Sequence, residues 1–134
     1  MPQTMLLSAF LLLLGASVLA DEPPDAKKAD HEKLLVGVWR GGPCMGILVI
    51  HPNHLFERHH YSPGNHKLTG SWELNTKSNL PLITLTTKTT DAPEWLPVGE
   101  AITHKLLHVD EGILVLEDVL YPSGSPPKYK RVKN

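Results

Sequence analysis

Residues 67–74 read KLTGSWEL. Leu68, Gly70, Trp72 and Leu74 fall on one side of an extended chain, and Lys67, Thr69, Ser71 and Glu73 fall on the other. Strict alternation of this kind marks a strand with one buried and one wet face, whereas a helix places its apolar residues three and four apart. The octapeptide predicts a half-buried strand.

The same period recurs on either side. LLVGVWR (34–40) puts Leu35, Gly37 and Trp39 on one face, and GILVI (46–50) is apolar on both, as a well-covered strand would be. LFERHHY (55–61), LITLTTKT (82–89), AITHKLLHV (101–109), ILVLEDV (113–119) and KYKRV (128–132) complete the set. Their Val, Ile and Thr content favours strand over helix. The separators HPNH, SPGN, TKSN, VDEG and PSGSPP carry the Pro, Gly, Asn, Asp and Ser of turns. The expected fold is all-β, an antiparallel up-and-down meander of about eight strands. A meander must bury its apolar face and remove its edges, and closing into a barrel does both. An open two-sheet sandwich is the competing architecture. Ahead of the strands, a polar lead-in over residues 21–33 holds a short helix from about Asp25 to Leu35, and the barrel domain takes residues 34–134.

Residues 1–20, MPQTMLLSAFLLLLGASVLA, read as an export signal. An apolar run from Met5 to Leu14 is followed by small residues and a cleavage pattern at Ala20–Asp21, although no Lys or Arg precedes the run. The run is short for a membrane span of roughly 20 residues. The mature chain is therefore expected in a secreted or periplasmic setting, with no membrane span. Cys44 is the sole cysteine, so no internal disulfide can staple the domain and its stability must come from a core. The formal charge of −1 lacks the basic excess of nucleic-acid binders.

Within the barrel, Trp39 reads as a large plug at one end, with Gly37 leaving room for it beside the entering helix. Gly70 and Trp72 repeat that spacing and predict a second packed layer. EKLLVGVW (32–39) resembles the Gly-x-Trp opening of lipocalin-like barrels. SWELNTKSNLPLITL (71–85) and HVDEGILVLEDVLYPSGSPPKYKRV (108–132) are similar to small exported bacterial lipocalin-like domains of unknown function. The resemblance spans about residues 30–132 and implies a lipocalin-like barrel and an exported compartment. It brings no catalytic or ligand residues with it.

Five of the eight histidines, His51, His54, His59, His60 and His66, lie in HPNHLFERHHYSPGNH (51–66). HPNH reads as a turn in which Asn or His tolerates a positive φ. His59 and His60 are adjacent in a strand and point to opposite faces. A zinc or copper site built from His51, His54, His59 and His66 is one alternative, and a pairing of His60 with His104 inside the barrel is another. His104 and His108 are expected on one face, and Glu57 with His59 forms a possible acid–base pair.

No nucleophile elbow, phosphate-binding glycine loop, H-E-x-x-H helix or dinucleotide fingerprint is present. The chain reads as a non-catalytic, monomeric binding domain with no cofactor. It takes a small apolar or amphipathic molecule, or an exported protein partner, at the barrel mouth. Trp95 in the long loop DAPEWLPVGE (91–100), with Phe56, Tyr61 and His60, is placed near that site. A protease-inhibitor-type barrel is a further alternative.

Overall fold

The computed structural model describes residues 24–42, 46–60, 65–94 and 97–133. The expected export signal, Cys44, Tyr61 and Trp95 lie outside the described residues. A helix, α1 (Pro24–Leu35), leads into eight strands. These are β1 (Gly37–Gly41), β2 (Gly46–Ile50), β3 (Leu55–His60), β4 (His66–Asn75), β5 (Leu82–Thr90), β6 (Ala101–Val109), β7 (Ile113–Asp118) and β8 (Lys128–Arg131). Each strand pairs antiparallel with its sequence neighbour, and β8 returns to β1 to close the barrel. The closing ladder pairs Trp39 with Arg131, Arg40 with Lys130 and Gly41 with Tyr129. Closure leaves no free edge and excludes the two-sheet alternative.

The alternation in the sequence becomes the inside and outside of the barrel. Leu68, Gly70, Trp72 and Leu74 are all buried along β4. Leu48 and Ile50 from β2, Ile83 and Leu85 from β5, and Leu114 and Leu116 from β7 meet them in one core with Leu35 of α1. Where backbones approach most closely the sequence uses glycine: a Cβ on Gly70 would lie 1.8 Å from the Thr86 carbonyl oxygen. The β4–β5 register shifts at that point, between Thr69 and Gly70.

The two ends differ. An up-and-down order sends alternate turns to opposite ends, so β1 starts, and the β2–β3, β4–β5 and β6–β7 turns fall, at one end. There α1 packs against β4 and β6. Trp39 and Trp72, 0% and 1% exposed, fill this end. The Trp39 ring donates from Nε1 to the Leu35 carbonyl at 2.8 Å, and Arg131 stacks on it 4.2 Å from the ring centre. The role expected of Gly37 is corrected by this arrangement. A Cβ there would lie 2.2 Å from Arg131 Nη1, so the space beside Gly37 accommodates the guanidinium rather than the indole.

A second correction concerns β6. The β6–β7 register shifts between Leu106 and His108. His104 and Leu106 share the inner face, while the bulge turns His108 outward, where its ring lies 2.7 Å from Asp110. The two histidines therefore do not share a face.

Candidate functional site

At the opposite end the inward-facing residues change character. Phe56 is 2% exposed and fixes the inner face of β3. Two and four residues on, Arg58 and His60 must share that face. On β6 the inner face runs from Leu106 back to His104 and Ile102, and on β7 it runs from Leu114 and Leu116 out to Asp118. On β3, β6 and β7 the inner face that is apolar near α1 thus gains polar residues towards its other end.

Several of these residues line an open cavity of about 730 Å³. Its walls include Arg58, Ile102, His104, Leu116, Asp118 and Tyr129, and its lip is the β7–β8 loop with Tyr121, Ser123, Ser125, Pro126 and Pro127. A much smaller cavity of about 20 Å³, room for about one water, adjoins it and shares Arg58 and Tyr129, with His60 on its wall.

Three side-chain nitrogens here are buried without a hydrogen-bond partner among the described residues: Arg58 Nη2, His60 Nε2 and His104 Nε2. Burial, reinforced by the Arg58 charge and opposed by Asp118, lowers the His104 imidazole to about 4. His60 is lowered by burial first and then by Arg58 and His66. At neutral pH His104 is therefore uncharged, with one N–H donor and one lone pair to offer. Arg58 supplies a fixed positive charge. Two carboxylates, Glu117 and Asp118, also line the cavity; Asp118 uses Oδ1 to accept N–H bonds from Leu120 at 2.8 Å and Tyr121 at 3.3 Å, which ties it to its own loop.

The other candidates are dispersed. His51 Nε2 lies 3.0 Å from Glu57 Oε2, and Lys67 Nζ reaches the other Glu57 oxygen at 3.1 Å. The partners of Glu57 are therefore His51 and Lys67, in place of the expected His59. These two contacts, the His51 one foremost, hold the Glu57 carboxyl below its ordinary range. His54 has φ 63° in the HPNH turn, as expected of that position, stacks on Trp72 at 4.3 Å and lies 3.6 Å from Glu32. His66 Nδ1 lies 3.3 Å from Asp91. His59 follows Glu57 on the outer face of β3. Among the described residues no group of three or more His, Cys, Asp or Glu is placed to hold a metal ion.

Of the residues expected at the mouth, His60 lies beside Arg58, as its place on the inner face of β3 dictates. Phe56 belongs to the core, where its ring abuts Gly70, and it does not line the cavity. The site's central residue, Arg58, and its acid, Asp118, were not among the expected set. Comparison with family models, with curated proteins and with solved structures returned no match.

Proposed function

We propose that this chain is a non-catalytic exported binding domain of lipocalin-like type, which holds one small amphipathic molecule in the open end of its barrel. The observation that carries the reading is the division of the interior. One end is filled by Trp39, Trp72 and the leucines around them, and the other holds a cavity of about 730 Å³. Small-molecule sites commonly occupy roughly 300–1,000 Å³, with apolar walls and a few convergent polar groups. Ile102, Leu116 and Tyr129 supply such walls, and Arg58 and His104 the polar groups, with His60 next to Arg58 in the adjoining small cavity. An eight-stranded barrel is also of the size that either fills with side chains or takes one small ligand. The Gly-x-Trp opening and the apolar N-terminus support the exported, lipocalin-like part of the reading.

Native mass spectrometry of the full chain, purified without a nickel column, tests it. A complex carrying one small organic molecule is the expected result. A bare chain that also stays bare when exposed to apolar acids, alcohols and amines would overturn the reading and turn attention to protein partners.

A further inference from the structure

The chemistry of the cavity wall narrows the ligand class, given the mouth-binding reading above. A guanidinium keeps its charge at every pH the protein meets, so its burial cannot be relieved by losing a proton. A buried charge is costly unless a counter-charge or hydrogen bonds compensate it. Among the described residues Arg58 has neither at Nη2, and none of their ion pairs includes it. His60 and His104 each present one further nitrogen, Nε2, with no partner among the described residues. Arg131 shows the contrast within one chain, since all three of its nitrogens donate to carbonyls, at 2.6, 2.8 and 2.5 Å.

We propose that the ligand is a monoanionic amphiphile, a carboxylate on an apolar body, with its head group seated on Arg58 between His60 and His104. Three features favour one negative charge over two. Among the described residues Arg58 is the one lining cation with a buried nitrogen, Lys128 being exposed at the rim; the imidazoles beside Arg58 are neutral, and Glu117 and Asp118 place carboxylates on the facing strand. A dianionic phosphate seated on Arg58 would meet one buried positive charge, with Lys128 out at the rim, and that acidic strand. The apolar body lies against Ile102, Leu116 and Tyr129, towards the Pro126–Pro127 lip.

Calorimetric titration of the full chain with decanoate, decanol and decyl phosphate tests the head group at constant tail. Decanoate is expected to bind about tenfold or more tighter than decanol, the usual scale of a hydrogen bond to a charged group. Arg58→Met is expected to bring decanoate down to the affinity of decanol, while Arg58→Lys keeps part of the preference. Without ligand, Arg58→Met should melt at or above the wild-type temperature, because an uncompensated charge has been replaced by an apolar side chain. Equal binding of decanoate and decanol to the wild type would overturn the anionic head group and leave the mouth site standing, with water alone solvating Arg58. A preference for decyl phosphate would overturn the single charge. A decanoate preference that survives in Arg58→Met would overturn the role of Arg58. Failure of all three ligands would count against the proposed function itself. The wild-type comparison decides the head group even where a variant does not fold.

Discussion

The Arg131 guanidinium lies 4.2 Å over the Trp39 ring, and it also ties three separate segments together. Its Nε donates to Glu111 in the β6–β7 turn, and its two terminal nitrogens donate to Val36 and Leu34 at the end of α1. One side chain therefore fastens the helix, the last strand and a hairpin turn to the tryptophan that fills the α1 end. Arg131→Met keeps the apolar stem and removes these bonds. It should lower unfolding stability by about 2–4 kcal/mol, the scale of charge-assisted hydrogen bonds and a partly desolvated cation–π contact together. Arg131→Lys should restore less than half. Urea unfolding followed by tryptophan fluorescence measures both, and equal stability of all three proteins would count against the account.

The turn His51–His54 binds Trp72 from two directions. The indole Nε1 donates to the His51 carbonyl at 2.9 Å, and the His54 ring stacks on the indole with an interplanar angle of 7°. His54→Asn keeps a residue that tolerates φ 63° and should cost about 1 kcal/mol for the lost stack. His54→Val adds a β-branched residue in a left-handed conformation and should cost about 2–3 kcal/mol. If valine is tolerated as well as asparagine, backbone conformation is not what selects histidine at this position.

Acid should weaken the fold through the mouth histidines. The unfolded His104 imidazole takes up its proton near pH 6.5, and the folded one near 4. Between those values the unfolded state binds more protons, so stability is complete above about pH 6.5 and is lost as pH falls through about 4, by about 3 kcal/mol. His60, lowered for the same reason, adds in the same direction. His104→Phe should flatten the dependence, measured as the urea midpoint at pH 7 and pH 4.5. Identical slopes in the two proteins would exclude burial of a neutral His104.

Gly46 is a point of backbone contact, where a Cβ would lie 2.0 Å from the His59 carbonyl oxygen. Gly46→Ala should push β2 away from β3 and destabilise by about 3 kcal/mol or more, since no flexible side chain is available to yield. A fully stable Gly46→Ala would mean that the two strands can separate freely.

The histidines of residues 51–66 point to a further expectation. His51, His54 and His66 are each held beside a different carboxylate, Glu57, Glu32 and Asp91. The thermal midpoint should be the same with and without a strong chelator. A midpoint that drops on chelation and returns with zinc or copper would restore the metal reading.

The barrel was legible in KLTGSWEL and its neighbours because strand period and burial coincide wherever the inner face is apolar. The HPNH turn was legible from its residue types. The mouth was harder to read because the same rule continues there through polar residues. In LFERHH, buried Phe56 already forces Arg58 and His60 inward, and in ILVLED, Leu114 and Leu116 do the same for Asp118. The sequence offered His60 and His104 as an interior pair but gave no such place to Arg58 or Asp118. The bulge beyond Leu106 left no mark in composition, so His108 could not be assigned its face from the sequence. The dependence of Gly37 on Arg131 arises from barrel closure, which joins the first strand to the last.

The up-and-down order has an engineering consequence. The β1–β2, β3–β4, β5–β6 and β7–β8 connections all emerge around the mouth, while α1, Trp39, Trp72 and Arg131 secure the other end. Substitutions at the exposed rim positions of the β7–β8 connection, such as Tyr121 and Ser123, therefore alter the mouth while leaving Trp39, Trp72 and Arg131 in place. A library built on those positions would vary what is captured while inheriting one chassis.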